Sequence, residues 1–502
     1  MPQQMTHRQI GAASTRRLTR WFLAASSVLA LASCGGGGGN PGLCVGGPVT
    51  CAVATNPGYS NADFTPLASA ESAANVCTLE GQKRFSRYLL NDYYLWYDEV
   101  RSVDARNYSS ASAYFYSILV ETPDANNLPK DRFSFVVSKT DADSLVTGVN
   151  VGYGVTWKED TAKKMRVAYV EPNSPAAAAG MARGGQLEAI TSGETARVWY
   201  PNAANASVAF TYRDTPAAAP RSITLNAVTV VEDAVPIVKT VTSPLGRKVG
   251  YIDFHGFSAG SQDKLIDAVA TLQTAAIQDL VLDLRYNGGG YVFIAQSLAS
   301  MIAGASADGK TMEQLRFNSK RSEETAASIY KFVNTVAFAD QVKAPKFAKG
   351  TALPRLNLSK VYILSSGDSC SASEAVINGL RGIDIDVVLV GSATCGKPYG
   401  FSEIDNCGLA YFAIEFDGVN AKGVGGYTAG FAARCPAGDD FDRKLGDVAE
   451  RKLSIALQHA DSGICATASA RDSIAQSKPL VSTWNPATFA KPLSPGRVLL
   501  PR

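Results

Sequence analysis

Two residues in the second half of the chain have the types and the spacing of a nucleophile and its base. Ser371 follows the apolar run 361–364 and a short turn, where a helical pattern begins, and Lys397 follows a second apolar run, 387–390. A serine hydroxyl needs a neighbouring base to act as a nucleophile, and a lysine can serve only if burial lowers its pKa. No acid flanks Lys397 over residues 393–399, as expected of a desolvated amine. The pair predicts a serine hydrolase.

The elements around these residues predict an α/β sheet that brings both side chains to one edge. Strand, turn, helix, strand and turn follow one another over 361–397, and open sheets keep their sites at the carboxyl ends of strands. A further strand, 279–284, ends in a turn of three glycines that lacks both the G-x-G-x-x-G spacing and a P-loop lysine. A nucleotide is therefore disfavoured. We predict instead that the N–H of Ala372 and one from Gly288 or Gly289 stabilise an oxyanion.

Three motifs resemble, in their order along the chain, those of the C-terminal processing peptidases, tail-specific serine proteases with a Ser–Lys dyad and an inserted PDZ domain. The motifs are Asp283–Gly290, Ser371-x-x-Glu374 and Gly396-Lys397. By this resemblance Ser371 is the nucleophile and Lys397 is the general base. The resemblance also implies polypeptide substrates with free C-termini, and neither a metal nor an organic cofactor.

The same resemblance implies the fold. Residues 240–465 would form an α/β catalytic domain, a mixed sheet flanked by helices with a ClpP/crotonase-like spiral core. Residues 147–232 would form a small β-rich PDZ-like domain, because 174–184 is similar to the family's turn, short helix and glycine turn. A generic β subdomain is the alternative. The stretch that resembles the family's carboxylate-binding loop, and would hold a peptide tail, is Gly152, Tyr153, Gly154 and Val155.

The chain departs from the family pattern at the proposed site. The interval from Ser371 to Lys397 is one residue longer than the resemblance implies. The position four after the lysine, often a glutamine that orients it, is Phe401, and Cys370 and Cys395 replace small or polar neighbours. These differences leave the orientation of Lys397 open. They also leave room for a peptide-binding relative without activity.

Other interpretations of the same residues stay open. Ser371-x-x-Glu374 is also a helix capping box, although capping explains neither the lysine nor the glycine turn. A Ser–His–Asp triad would need His255 or His459, and Cys370 could be a nucleophile beside His255 if it were not bridged. An esterase could use the same Ser–Lys pair.

The nine cysteines favour disulfides in an exported chain. Setting Cys34 aside leaves an even number, and the absence of C-x-x-C pairs and the scarcity of histidine make a zinc site improbable. The sequence alone does not give the connectivity. Three pairings are compatible with the sequence: Cys44–Cys51, Cys407–Cys435 and Cys370–Cys395, the last of which would join the neighbours of the two catalytic candidates.

The first residues predict export and a lipid anchor. A basic segment followed by a short apolar run reads as a secretory signal over 1–33, and Leu31–Cys34 resembles the bacterial lipobox. Cys34 would be acylated, residues 34–75 would be a flexible tether, and the protein would face the periplasm, with the outer membrane expected. Four of the 48 basic residues lie in 1–33, leaving 44 against 45 acidic residues, so no nucleic-acid partner is predicted.

The remaining segments are predicted more coarsely. Phe85, Tyr88, Leu89, Tyr93 and Trp96 recur at helical spacing, which predicts an amphipathic helix within an N-terminal helical region, 76–146. Residues 466–502 have several prolines and little periodicity, and are predicted to be an extended tail of unknown use.

Overall fold

The structure, a computed structural model, describes residues 62–192 and 204–465 and the short strand 497–499. Within these ranges no helix combines the length and the apolar character needed to cross a membrane. The predicted signal peptide 1–33, Cys34, and Cys44 with Cys51 lie outside the described residues.

The strands are numbered in chain order. They are β1 Phe135–Ser138, β2 Val149–Gly152, β3 Val155–Glu159, β4 Met165–Val170, β5 Gln186–Ser192, β6 Ser207–Arg213, β7 Arg221–Asn226, β8 Val228–Val231, β9 Ile237–Thr242, β10 Lys248–Asp253, β11 Asp279–Asp283, β12 Gly289–Tyr291, β13 Thr311–Phe317, β14 Ile329–Lys331, β15 Lys360–Ser365, β16 Asp386–Gly391, β17 Tyr399–Gly400, β18 Ile404–Asn406, β19 Leu409–Phe412, β20 Phe416–Val419, β21 Cys435–Pro436 and β22 Arg497–Leu499.

The α-helices are numbered in the same way. They are α1 Ala70–Ala73, α2 Leu79–Tyr93, α3 Ala111–Ser117, α4 Lys139–Thr147, α5 Pro175–Ala178, α6 Ser261–Thr274, α7 Val292–Ala303, α8 Ser322–Ala327, α9 Ala372–Gly382 and α10 Arg451–Ser462.

A six-stranded mixed sheet in the order β21-β16-β15-β11-β10-β9 forms the centre of the fold. Neighbouring strands are parallel except β9, which runs antiparallel to β10. Every residue of β11 is buried, as expected of a parallel strand covered on both faces. The apolar runs predicted as strands at 279–284, 361–364 and 387–390 are confirmed, and they lie side by side as β11, β15 and β16. The mixed α/β fold is therefore the predicted one.

The two faces of this sheet are buried by different helices. On one face Leu280 and Leu282 pack in a cluster with residues of α6, α7 and α9. On the other face Val281 and Leu364 pack with Leu453 and other residues of α10. This alternation of neighbouring strand residues between two cores fixes the register of the sheet, because a slip of one residue would exchange the faces.

Residues 149–231 form a separate small β unit. Strands β3 to β7 make an antiparallel sheet, β2 pairs with β8, and α5 is the short helix of the unit. Its own apolar core includes Trp157, Phe210 and Tyr212. The predicted strands over 149–157 and 165–170 are confirmed.

The N-terminal region differs from the prediction in two respects. The amphipathic helix is confirmed as α2, with Phe85, Tyr88 and Leu89 buried. The region is not purely helical, because β1 lies within it and pairs antiparallel with β19. The described end of the predicted tether is also not a free spacer: Phe64 is 1% exposed and packs edge-on against Tyr114.

Three disulfides join the described cysteines: Cys77–Cys407, Cys370–Cys395 and Cys435–Cys465. The pairing Cys370–Cys395 is confirmed, whereas Cys407–Cys435 is wrong. Cys407 is joined instead to Cys77, which lies 330 residues away in sequence and precedes helix α2. No local pattern predicts a contact over that separation.

Candidate active site

Three loops meet at one edge of the central sheet because they leave the carboxyl ends of the neighbouring parallel strands β11, β15 and β16. The glycine turn, the turn before Ser371 and the loop before Lys397 are hydrogen-bonded to one another. Cys370 donates its N–H to the carbonyl of Asn287 at 3.1 Å, and Cys395 donates to the carbonyl of Ser369 at 3.1 Å. The structure thus brings together the segments that the sequence predicted to converge.

Ser371 occupies a backbone conformation that few L-residues adopt. Its φ is 59° and its ψ is −111°, immediately before the first residue of α9, and the residue is 1% exposed. Such strained residues cluster at functional sites, where the surrounding structure enforces them. Among the described residues, no hydrogen-bond partner reaches the Ser371 Oγ. The Ser371 hydroxyl therefore makes no hydrogen bond to Lys397, as is common for catalytic pairs without substrate.

Glu374, in the first turn of α9, holds the nucleophile turn and the lysine loop together. Its Oε2 accepts the N–H of Ser371 at 3.1 Å and the N–H of Lys397 at 2.8 Å. Its Oε1 accepts the N–H of Gly396 at 2.9 Å and the hydroxyl of Thr394 at 2.6 Å. Complete burial raises the pKa of Glu374, although each of these hydrogen bonds acts in the opposite direction. The Glu374 carboxylate thus links the turn of the nucleophile to the lysine loop through hydrogen bonds to both backbones, and this link is called the Glu374 bracket.

The Lys397 side chain lies in an aromatic pocket. The residue is 1% exposed, and its Nζ lies 3.9 Å from the ring centroid of Phe401 and 5.5 Å from that of Phe133. The Phe401 ring is itself fixed by edge-on packing against Phe135 and Phe412. The position where the family often has glutamine therefore supplies a rigid apolar surface beneath the amine.

Two backbone N–H groups beside Ser371 are available to an oxyanion. Neither Ala372, the first residue of α9, nor Gly288 donates its N–H to an acceptor in the part of the chain that the structure describes. The N–H of Gly289, the alternative donor, is engaged in this structure, because it donates to Asn287 Oδ1 at 2.9 Å. Asn287 is fully buried and is held by its own donation to Phe254. Its amide thus occupies the N–H of Gly289, and the oxyanion role of Gly288 stays a prediction.

The disulfide Cys370–Cys395 connects the residue before Ser371 to the loop that leads to Lys397. It closes a loop of sequence separation 25. Because Cys370 is bridged, it has no thiol to act as a nucleophile. The two groups of Cys, His and Glu that approach metal-ligand spacing in the described part are Cys435, His459, Cys465 and Cys370, Glu374, Cys395, and each contains a bridged pair without a thiolate.

The histidines do not form a triad with Ser371. His255 Nε2 lies 3.0 Å from Asp253 Oδ1, and its ring stacks on Tyr169 of the small β unit at 4.0 Å. Burial alone would lower the pKa of His255, but the Asp253 carboxylate outweighs it and raises this pKa. His459 packs against Tyr362 on the opposite face of the sheet. No hydrogen bond or ion pair among the described residues joins either histidine to Ser371.

The small β unit contacts two of the site loops. Arg183 donates to the Tyr286 hydroxyl at 2.8 Å, beside the glycine turn, and Lys158 pairs with Asp368 at 2.7 Å, three residues before Ser371. The loop formed by Gly152, Tyr153, Gly154 and Val155 connects β2 to β3 and lies against α5, where the carbonyl of Tyr153 accepts the N–H of Ala176 at 3.0 Å. Its predicted role in binding a carboxylate stays a prediction.

Two functional features were missed by the sequence argument. The spacing Ser371-x-x-Glu374 is visible in the sequence as a family motif and as a helix cap, but the contact of Glu374 with the lysine loop cannot be read from a local pattern. Phe401 is visible in the sequence as a departure from the family's glutamine, whereas no local signal marks Phe133. The pocket around the amine combines residues 133 and 401, which come together only in the folded chain.

The chain is similar in sequence or fold to several known proteases. A carboxyl-terminal-processing protease from Picosynechococcus sp. is 29% identical over 162 residues, which are 30% of this chain and 37% of that protein. The chain thus matches little more than a third of that relative. A structure of a candidate S41 protease from Bacteroides fragilis NCTC 9343 has 24% identity and a TM-score of 0.59, covering 76% of this chain and 98% of that one. The two share a fold.

A third match is the photosystem II D1 C-terminal processing protease, with 16% identity and a TM-score of 0.43 over 72% of this chain and 93% of that one. The family models match in two places. Peptidase family S41 matches residues 248–405, which contain all three site loops, and the Peptidase S41 N-terminal domain matches residues 81–135. The segment that holds the candidate site thus matches a family of serine-type peptidases, and this match supports a serine-type peptidase.

Proposed function

We propose that the chain is a serine endopeptidase that hydrolyses peptide bonds near the C-terminal tails of exported proteins, with Ser371 as nucleophile and Lys397 as base. The observation that carries the proposal is the Glu374 bracket. One carboxylate holds the backbone of a strained, buried serine and that of a buried lysine on facing loops. A helix cap alone would not require the second loop.

The reaction follows from the groups at this edge of the sheet. Lys397 Nζ takes the proton of the Ser371 hydroxyl as Oγ forms a bond to the scissile carbonyl carbon. The carbon–nitrogen bond then breaks, and the lysine gives that proton to the leaving amine. In the second half of the reaction Lys397 takes a proton from water as the water oxygen bonds to the acyl carbon, and passes this proton to Ser371 Oγ as the ester bond breaks.

Burial and aromatic contact act on the lysine in opposite directions. Removing an ammonium from water costs several kcal/mol, while a desolvated cation–π contact returns about 2 kcal/mol. The proposed mechanism requires the amine of Lys397 to be neutral when it accepts the proton, because that is the form a general base needs. The negative charge that develops on the substrate carbonyl oxygen would be stabilised by the N–H groups of Ala372 and Gly288. Removing one such donor typically costs about 10²–10³ in kcat.

Tail capture is proposed for the small β unit, the predicted PDZ-like module at 147–232. The loop Gly152–Val155 would bind a terminal carboxylate, and the contacts Arg183–Tyr286 and Lys158–Asp368 place the module against the site loops. The name of the Picosynechococcus relative, a carboxyl-terminal-processing protease, supports this class of substrate. Unequal hydrolysis of matched peptides with free and amidated C-termini would support tail capture, and equal rates would contradict it.

We also propose that the protein is anchored through an acylated Cys34 and faces the periplasm. The lipobox-like sequence Leu31–Cys34 motivates this proposal. Incorporation of labelled palmitate into the wild type, and its loss in Cys34→Ala, is the measurement. A wild type that incorporates no palmitate would contradict the lipid anchor, and the proposed roles of Ser371 and Lys397 would be unaffected.

The test of the enzyme is labelling by a fluorophosphonate probe, which reacts only with activated serines. We expect the wild type to be labelled and Ser371→Ala not to be. Ser261 offers a matched control, because it is also buried at the start of a helix with an Oγ that has no partner among the described residues. Ser261→Ala should be labelled like the wild type.

Labelling that survives Ser371→Ala would refute the role of this serine. A wild type that is not labelled would favour the alternative of a silent peptide-binding protein. Labelling without hydrolysis of any peptide, but with hydrolysis of small esters, would favour an acyl hydrolase.

A further inference from the structure

Residues 497–499 form a strand against the glycine turn of the candidate site. Strand β22 pairs in parallel with β12, with Arg497 opposite Gly289, Val498 opposite Gly290 and Leu499 opposite Tyr291. The same strand lies next to β17, which begins two residues after Lys397. A segment from the part of the chain predicted to be an extended tail therefore lies between the two loops that flank the candidate nucleophile.

The pairing uses the side of β12 that no other described strand occupies. Phe257 donates its N–H to the carbonyl of Gly289 at 3.0 Å, and its own carbonyl accepts the N–H of Tyr291 at 2.9 Å. Because successive residues of a strand direct their hydrogen-bonding groups to opposite sides, Gly290 presents its N–H and C=O to residues 497–499. Without β22, these groups would form an open edge two residues after Gly288.

On the side away from β22, strand β12 packs closely against Phe257. Gly290 has a φ of 144°, and a Cβ placed there would lie 2.1 Å from the carbonyl oxygen of Phe257. Only glycine allows this approach, which holds β12 against Phe257 on the side away from β22. A strand edge of this kind pairs with an extended peptide through backbone groups, irrespective of the peptide's sequence.

We propose that the free edge of β12 is the strand that binds peptide substrates, and that residues 497–499 of the chain occupy it in the resting protein. The inference rests on the proposed function, because it assigns this edge to the peptide of the acyl-transfer reaction. The occupant is held in the same molecule, so pairing with β12 is an intramolecular event that a substrate peptide must compete with. A substrate peptide must displace it before it can bind beside Ser371.

The apparent affinity for a substrate peptide then depends on the fraction of molecules in which residues 497–499 have left the edge of β12. If one molecule in about ten is open, the apparent affinity is about tenfold weaker than that of an unoccupied edge. The segment acts by occupancy alone. It changes the KM for a peptide and leaves kcat unchanged.

The test is a substitution in the full-length protein. Leu499→Pro removes the N–H that would donate to the carbonyl of Gly290 and leaves the rest of the chain intact. We expect the KM for a peptide substrate to fall about tenfold with kcat unchanged. A fluorescein-labelled peptide of residues 494–502 should bind this variant about tenfold more tightly than the wild type. Ala475→Pro, a proline outside the paired residues, is the matched control and should behave as the wild type does.

The outcomes separate this inference from the proposed function. Equal KM values and equal binding of the 494–502 peptide to wild type and Leu499→Pro would overturn the inference while leaving the enzyme intact. If neither protein hydrolyses peptides, the proposed function fails, and the binding measurement still decides whether the segment covers the edge. Tighter binding that is equally strong in Ala475→Pro would indicate a general loosening of the tail and would also overturn the assignment to residues 497–499.

Discussion

Replacing Lys397 by methionine is expected to lower kcat/KM for a peptide substrate by about 10³–10⁴-fold, the contribution typical of general acid–base catalysis. Methionine has a similar length and packs well against aromatic rings, so the contact with Phe401 persists while the base is lost. The protein should remain folded, because methionine fills a similar volume in the pocket. The measurements are hydrolysis of a quenched peptide, the rate of fluorophosphonate labelling and the Tm.

Lys83→Met is the matched control for this prediction. Lys83 is also fully buried, but its Nζ donates to the carbonyl of Ala105 at 2.7 Å, in the N-terminal region and away from the three loops. Its replacement should lower the Tm without lowering kcat/KM per folded molecule. Lys397→Arg should be as inactive as Lys397→Met, because a guanidinium does not lose its proton in proteins. If Lys397→Met is labelled by the fluorophosphonate probe as fast as the wild type, Lys397 is not the base that activates Ser371.

The features predicted correctly from the sequence are those encoded locally. Buried parallel strands appear as short apolar runs, and the turns that follow them carry the polar residues, so the convergence of Ser371 and Lys397 follows from topology alone. The disulfide beside them follows from the same convergence, because Cys370 and Cys395 occupy equivalent places in adjacent loops.

The features that the sequence could not provide depend on residues far apart in the chain. Cys77 and Cys407 are 330 residues apart, and strand β1 finds its partner β19 across a similar separation. The engagement of the Gly289 N–H depends on where one amide, that of Asn287, directs its oxygen. Strand β22 has no periodic signal of its own, since its pairing needs only backbone groups. Patterns within a window of residues contain none of this information.

Breaking the disulfide Cys370–Cys395 is expected to lower kcat/KM by about 100-fold, since a displacement of about 1 Å at a catalytic group costs about that much. The bridge joins the residue before the nucleophile to the loop of the base, where Glu374 provides the other link. The double variant Cys370→Ala with Cys395→Ala removes the bridge without adding buried hydroxyl groups. The Tm, peptide hydrolysis and fluorophosphonate labelling are the measurements.

The disulfide Cys435–Cys465 separates a local effect on the site from a general loss of stability. Its sequence separation is 30, against 25 for Cys370–Cys395, so the two bridges restrict the unfolded chain to nearly the same extent. Each double alanine variant should therefore lose about 3 kcal/mol of stability. Only the variant at 370 and 395 should lose activity per folded molecule, because the other bridge ties β21 to the residues after α10, outside the three loops. If both variants keep full activity, Glu374 alone suffices to hold the nucleophile and lysine loops in register.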